Sequence, residues 1–429
     1  MRLAALLLFC VTSLAQPLRW ACDLSFVPKL EYNGAIYSRD GIQRTGLEVF
    51  RAAGFDVLRV RLWHTPTESW QGIDSVLAFA QRADILGYKI LLDIHYSDTW
   101  ADPAHQTKPL AWQSLSYVQL LDSMYFYTNN VVRRFRDADV VPEFVQIGNE
   151  IGAGFLWDTG RVGGAWDTPQ QWTQLASLLD TAAAGVRDSL PEAAWPKIIL
   201  HHQEGGNFGA CQWFFEHLDA EQVDYDIIGL SYYPWWHGSL DDLSNNLENL
   251  YTEFGKEVYI VETAYPWMTG WCDDTGNIVG DQTSLLPAYP ATEAGQASYF
   301  SELAQRLLAA PHDGGPLLCP WEPAWIPTND FGSAWENLAF FDCDGNALTV
   351  FSIFPGLAPA KLTVAVIGSD VELRWPDDAN PFYKLYASNQ SGGPYGEFLG
   401  STSNRTWLLT GEVEQHSTRY FVVTGSPTP

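Results

Sequence analysis

Phe144-Val-Gln-Ile-Gly-Asn-Glu150 and Val258-Tyr-Ile-Val-Glu262-Thr263 are two short apolar runs that each stop at a carboxylate. Their β-branched and aromatic content suits strands buried on both faces, as in a parallel sheet. Similar runs recur as candidate strands at Arg19–Val27, Val57–Leu62, Lys89–Ile94, Ile198–His201, Ile227–Ser231 and Pro316–Pro320. Between them lie helical patterns at Gly41–Ala53, Ile73–Leu86, Tyr117–Arg136, Gln171–Ser189, Leu240–Phe254 and Ala291–Ala309. Eight alternations of strand and helix predict an α/β fold closed into a parallel (β/α)8 TIM barrel. An open doubly wound sheet competes, but no Gly-rich phosphate loop follows the first strand.

The 429 residues exceed what a barrel needs. Pro355, Gly356 and Pro359 mark a boundary, and beyond it short alternating strands follow at Leu362, Val371–Trp375, Tyr383–Ala387, Thr406–Leu409 and Arg419 onward. That pattern predicts a small C-terminal antiparallel β-sandwich module like fibronectin type III, with Trp375 and Tyr420 as core aromatics. At the other end, Arg2, the apolar Leu3–Val11 and Ser13-Leu14-Ala15 read as a signal peptide over residues 1–15. The expected layout is signal 1–15, catalytic domain 16–354 and module 355–429, in a secreted protein. The five cysteines left after the signal, Cys22, Cys211, Cys272, Cys319 and Cys343, contain no C-x-x-C pair, which argues against structural zinc. Their pairing stays open.

A net charge of −27 repels nucleic acid and anionic membranes, so neither is an expected partner. It suits a neutral ligand. The 19 tryptophans and 19 tyrosines offer flat apolar rings of the kind that stack on sugars, although most such rings are core.

In a barrel the chemistry gathers at the C-terminal ends of the strands. Strands four and seven face each other across the mouth, so Glu150 and Glu262 converge on one cavity. Two carboxylates flanking a glycosidic bond are the minimum apparatus for cleaving it. Asn149, beside Glu150, supplies an amide for a sugar hydroxyl. Strand two brings Arg59, Arg61 and Trp63 to one face; buried arginines need carboxylate partners, and a purely structural ion pair is the rival reading. Strand three ends in a block with His95, Asp98, Trp100 and Asp102, a polar and aromatic wall. A metal reading of that block has no HExxH-like pair to support it. Adjacent strand residues point to opposite faces, so only one of His201 and His202 faces the barrel, and His201 is the expected hydrogen-bonding member of the site. Tyr233 is placed to hydrogen-bond a carboxylate, Trp236 to stack, and Trp321 to floor the site.

Together these residues resemble glycoside hydrolase family 53, the endo-β-1,4-galactanases. The matching stretches are Asp23-Leu-Ser25, Arg59–Trp63, His95–Thr107, Ile147–Ile151, Leu156-Trp157, Thr159-Gly-Arg161, Ser231 with Tyr233-Pro234, Val261–Thr263 and Trp321–Ile326. The resemblance implies a retaining endo-acting enzyme on the β-1,4-galactan of type I arabinogalactan, with no required cofactor. It implies Glu150 as acid/base and Glu262 as nucleophile, their carboxyl groups about 5–5.5 Å apart. A monomer is expected. Some family members tie the loops after strands seven and eight with a disulfide, others with calcium. Cys272 and Cys343 do not match the disulfide positions fully, and Asp273, Asp274 and Asn277 are candidate calcium ligands. Mannan, xylan or glucan as substrate, and a sugar-binding protein that does not cleave, are the alternatives.

Overall fold

A computed structural model describes residues 18–354 and, beyond them, residues 363–367, 370–374, 382–388, 397–402, 404, 406–410 and 420–426. The expected signal peptide, and Trp375, lie outside the described residues.

Eight runs form parallel strands: β1 (Arg19–Asp23), β2 (Val57–Leu62), β3 (Lys89–Ile94), β4 (Phe144–Ile147), β5 (Lys197–His202), β6 (Ile227–Tyr232), β7 (Glu257–Thr263) and β8 (Leu317–Pro320). They close into a barrel in which every strand pairs with its sequence neighbours and β8 returns to β1. The helices that cover it are α1 (Gly46–Ala52), α2 (Ile73–Ile85), α3 (Tyr117–Asp137), α4 (Pro169–Arg187), α5 (Phe208–Ala220), α6 (Leu240–Phe254) and α7 (Glu293–Ala309), and a 3-10 turn at Thr349–Ile353 completes the ring.

Local chemistry sets the helix starts. Thr45 caps α1, Ser116 caps α3 and Ser239 caps α6, each with a reciprocal bond from the third helical residue. Each such cap is worth about 1 kcal/mol. The first one shortens the helix expected over residues 41–53. Ile42–Arg44 instead pairs with Tyr37–Arg39 as a hairpin, and the helix begins only at Gly46, behind the Thr45 cap. On α3 the buried residues Leu120, Met124, Thr128, Val131, Val132 and Phe135 follow the helical period, so one face lies on the sheet.

Two apolar layers result. The larger lies between strands and helices, and includes Leu58, Val60, Ile90, Leu92, Val145 and Ile147. The smaller fills the lumen with residues from all eight strands, among them Ala21, Val57, Leu91, Phe144, Ile199, Ile227, Val261 and Leu317. Gly229 belongs to this plug: a Cβ there would meet Ile199 Cγ2 at 2.8 Å and Val261 Cγ2 at 3.2 Å. Two residues further along the strands, the same faces carry Asp23, Arg59, Asp93, Gln146 and His201, all fully buried. An apolar plug therefore supports a polar layer just below the barrel mouth.

In the C-terminal part, Thr363–Ile367, Asp370–Arg374 and Thr406–Leu409 form one antiparallel sheet, and Glu397–Thr402, Phe382–Ser388 and Tyr420–Ser426 form another. Val371, Leu373 and Leu385 are buried together, with Leu399, Trp407 and Leu409 packed against them. Among the described residues no helix is long and apolar enough to cross a membrane.

Candidate active site

The strand ends turn their polar residues inward by two backbone devices. After β4, Gly148 adopts φ +76°, where a Cβ would meet Ile151 Cγ2 at 2.6 Å. Glu150 follows with φ +49°. A left-handed non-glycine residue costs about 1–2 kcal/mol, a strain that tends to persist where function requires it. On β7, simple alternation would send Glu262 outward with Ile260. The pairing with β6 slips there, from Leu230 opposite Ile260 to Ser231 opposite Glu262. That bulge re-aims the carboxylate into the mouth.

Glu150 and Glu262 line one cavity of about 290 Å3, together with His95, Trp100, Asp102, Asn149, Tyr233, Trp236 and Trp321. Nine of the residues singled out in the sequence thus meet at one place. Ala101, Ile278, Trp325, Ala334 and Trp335 complete the wall. The last four come from the long loops after β7 and β8, where the sequence carries no periodic signal.

The two glutamates sit in different surroundings. Glu262 is 6% exposed; its Oε1 lies 2.9 Å from Arg59 Nη2, and its Oε2 accepts from Tyr233 Oη at 3.1 Å. Both contacts favour the anion. Glu150 has one side-chain partner, Ser231 Oγ, at 2.7 Å from its Oε1. Burial, and next the charge of Glu262, push Glu150 up to about 8. Burial also raises Glu262, to about 7, against the pull of Arg59. Glu262 is the lower of the two because a guanidinium and a phenol serve its anion, so the first proton lost is its own.

Arg59 organises the polar layer. Its guanidinium reaches Asp23 Oδ2 at 2.7 Å, Asp93 Oδ2 at 2.9 Å and Asn149 Oδ1 at 2.8 Å. Asn149 in turn donates one amide hydrogen to Ala101 O at 2.9 Å, which leaves the second for a ligand. His95 Nε2 lies 2.9 Å from Asp93 Oδ2 while its Nδ1 accepts from Ala101 N, so the ring is fixed from both sides. Burial lowers its pKa and keeps it neutral.

Besides Arg59, four of the expected residues lie outside the lining. Arg61 is 1% exposed and sits behind the wall, with Nη2 on Glu322 Oε1 at 3.1 Å and its guanidinium 4.4 Å from the Trp100 ring centre. Trp63 packs edge-on to Trp100 at 5.2 Å. Asp98 accepts backbone amides of Thr65 and Leu110, which makes it a loop staple. His201 is fully buried between Asn149 and Ser231. Period-two alternation correctly turned Arg59 and Arg61 to the same face, but could not separate the one that touches Glu262 from the one behind a tryptophan. Ser231, Asp93 and Gln146 were missed as site members, although each stands on an inward strand position.

The loops after β7 and β8 are joined by a disulfide, Cys272–Cys343, with 5.6 Å between Cα atoms. Glu336 Oε1 accepts Cys272 N, Asp273 Oδ2 accepts Ser333 N, and Asn337 Nδ2 donates to Met268 O and Val279 O. Two of the three candidate calcium ligands, Asp273 and Asn277, take part in this stapling. Asp273 Oδ1 is also taken, by Thr275 N, and Asn277 turns its amide to Gly270 O. Asp273 thus uses both carboxylate oxygens on backbone amides, whereas Asn277 Oδ1 is buried with no hydrogen-bond partner. Among the described residues no three His, Cys, Asp or Glu side chains gather as a metal-binding group.

Known proteins resemble this chain over its barrel. Arabinogalactan endo-beta-1,4-galactanase of Cellvibrio japonicus is 36% identical over 349 residues, covering 79% of this chain and 90% of the relative. The protein of the same name from Thermothelomyces thermophilus is 33% identical over 339 residues, 77% of this chain and 97% of its own. The solved GH53 catalytic domain of Ignisphaera aggregans superposes with a TM-score of 0.73 at 32% identity, over 80% of this chain and 97% of that one. The pattern of Glycosyl hydrolase family 53 matches residues 20–354, from β1 to the 3-10 turn that closes the barrel, and the chain belongs to that family.

Proposed function

We propose that the chain is an arabinogalactan endo-β-1,4-galactanase that hydrolyses its substrate with retention of configuration. Glu262 attacks the anomeric carbon while Glu150 protonates the departing glycosidic oxygen. Water, deprotonated by Glu150, then releases the sugar from Glu262. The observation that carries this reading is the contrast between the two glutamates. They share one cavity, yet Glu262 has Arg59 and Tyr233 on its carboxylate oxygens, while Glu150 is half-buried with a single hydroxyl partner. One environment suits a nucleophile and the other an acid. The substrate follows from the relatives named above. Trp100, Trp321 and Trp335 present rings to a neutral sugar, and the net charge of −27 opposes an acidic one.

The same proposal includes export by residues 1–15, a catalytic domain at 16–354, and action as a monomer. Residues 355–429 form a fibronectin type III-like sandwich, supported by the two three-stranded sheets and the shared cluster of Val371, Leu373 and Leu385. The deciding experiment is a product profile on purified β-1,4-galactan, xylan, mannan and glucan, with anomer detection by NMR. Galacto-oligosaccharides of several lengths, released first as the β-anomer, are expected. Equal rates on xylan, initial α-anomer, or binding without new reducing ends would overturn it.

A further inference from the structure

Glu150 is the near end of a row of hydrogen bonds. Its Oε1 lies 2.7 Å from Ser231 Oγ, which lies 2.8 Å from His201 Nε2, and His201 Nδ1 lies 2.9 Å from Asn149 Oδ1. His201 and Ser231 are fully buried and Asn149 is 5% exposed, so water does not stand in for any partner.

The direction of the row is fixed from its far end. Asn149 Oδ1 accepts from Arg59 Nη2 at 2.8 Å, and Asn149 Nδ2 donates to Ala101 O at 2.9 Å. A guanidinium only donates and a carbonyl only accepts, so this amide cannot be turned round. His201 Nδ1 must therefore carry a hydrogen and donate it to Asn149. Gln146 Nε2, 3.2 Å away, offers nothing to Nδ1, since its two hydrogens go to Asp93 Oδ1 at 2.6 Å and Gly148 O at 3.0 Å. The remaining approach, from Glu150 N, is longer at 3.4 Å. Burial and the neighbouring charge of Arg59 keep the imidazole neutral, and His95, His202 and His237 add no counter-charge. Neutral His201 then has a bare Nε2, which accepts the single hydroxyl hydrogen of Ser231. What Ser231 has left for Glu150 is a lone pair.

From this direction we infer that Asn149, His201 and Ser231 hold the proton on Glu150, with His201 and Ser231 acting as positioning residues for the acid. The inference rests on the reading of Glu150 as acid/base. In the protonated state every contact of the row joins a donor to an acceptor. Ionising Glu150 turns the Ser231 hydrogen back to the carboxylate and leaves Ser231 Oγ and His201 Nε2 as two acceptors 2.8 Å apart. Moving the imidazole hydrogen to Nε2 only transfers the mismatch to Nδ1 and Asn149 Oδ1. The anion of Glu150 thus lacks a bond that its acid form has. The other charged groups that face Glu150 are Glu262 and Asp102, which also favour its proton, and Arg59, which opposes it.

The row makes the effect of Ser231 depend on His201. With His201 present, Ser231 gives its hydrogen away and cannot serve the Glu150 anion. Without His201, Ser231 is free to donate to it. The test is titration of the Glu150 carboxyl by 13C NMR in the full chain, assigned by its absence in Glu150→Gln, beside pH profiles of kcat and KM on galactan. His201→Ala and His201→Phe are both made, so that one carries the test if the other does not fold. The Glu150 titration is expected to fall by roughly half to one pH unit. At pH 8 kcat then falls roughly two- to fivefold with KM little changed. Ser231→Ala is expected to raise the titration in the His201 variants but not in the parent, and Ser231→Thr to leave it in place. A rise on Ser231→Ala in the parent, or no fall on removing His201, overturns the inference. The NMR readout needs no turnover, so loss of the galactanase reading would be recognised separately, as a parent inactive on galactan.

Discussion

Arg59 Nη2 stands 2.9 Å from Glu262 Oε1, and the guanidinium behind it has no exposed surface. The same group neutralises Asp23 and Asp93, both also fully buried. Removing it strands two fully buried carboxylates and takes the guanidinium from Glu262. Arg59→Leu is expected to lower stability by about 3–5 kcal/mol, read by urea unfolding, as for other broken buried pairs. Arg59→Lys keeps a charge but not the fork that spans three partners. It should fold better and still lose at least about a hundredfold in kcat. Parent-like stability for Arg59→Leu would mean that the buried layer is held otherwise.

The second prediction concerns pH. Productive enzyme needs Glu262 ionised and Glu150 protonated, so kcat/KM should rise as the lower of the two titrates and fall as the upper one does. The limbs belong to the pair, and are expected near neutral and mildly alkaline pH respectively. Because the charge of Glu262 is one cause of the high Glu150 value, Glu262→Gln should move the Glu150 titration downward. Stability follows with a definite sign. A carboxyl whose folded value, about 8, exceeds its ordinary value of 4.5 adds stability below 4.5 that is lost as pH rises through about 8. Glu150→Gln should therefore melt higher than the parent at pH 8, and the difference should vanish near pH 4. Calorimetry across that range checks both ends, and an equal gain at pH 4 would remove titration as its cause.

Much of this was legible in the sequence because the barrel is made of local signals. Phe144–Ile147 and Val258–Val261 are apolar and β-branched, their neighbours are helical, and the strand ends then name their own polar residues. What stayed hidden depends on contacts between distant segments. Glu262 is adjacent to the lumen residue Val261, and only the bulge against Ser231 turns both inward. Arg61 and Arg59 look alike in a period-two reading, yet one meets Glu262 and the other Glu322. The hairpin at Tyr37–Arg44 is set by the Thr45 cap, a signal outweighed in the pattern by apolar spacing. The partners of Cys272 and Asp98 lie across long loops, where no periodicity points to them.

The third prediction follows from the loops. Cys272–Cys343 closes a span of 71 residues and stands behind the wall that carries Ile278 and Trp335. Restricting a loop of that length in the unfolded chain stabilises by about 4 kcal/mol in the chain-entropy account. Cys272→Ser, or mild reduction, should lower the melting temperature and raise KM on galactan, with a smaller change in kcat, since Glu150 and Glu262 sit on other supports. A loss confined to kcat would show that the staple acts on the glutamates themselves.

The last prediction separates floor from rim. Trp321 lines the cavity while packed at 4.7 Å against Trp335 and 6.0 Å from Trp100, so it shapes the site and holds its neighbours. Trp236 lines the same cavity but is 58% exposed, with contacts to Tyr233 and Trp235 on one side only. An exposed ring at the mouth contributes to stability mainly through that one side, and its free face is available to a sugar beyond the cleaved bond. Trp236→Ala should leave the melting temperature within about 2 °C of the parent, as for surface substitutions. It should raise KM several-fold on long galactan and much less on the shortest oligosaccharide that is cleaved. Trp321→Ala should instead cost activity at every substrate length, because the lost ring borders the reacting position. Kinetics on a ladder of galacto-oligosaccharides distinguishes the two. An equal loss at all lengths for Trp236→Ala would place that ring in the reacting subsite, against the separation argued from its exposure.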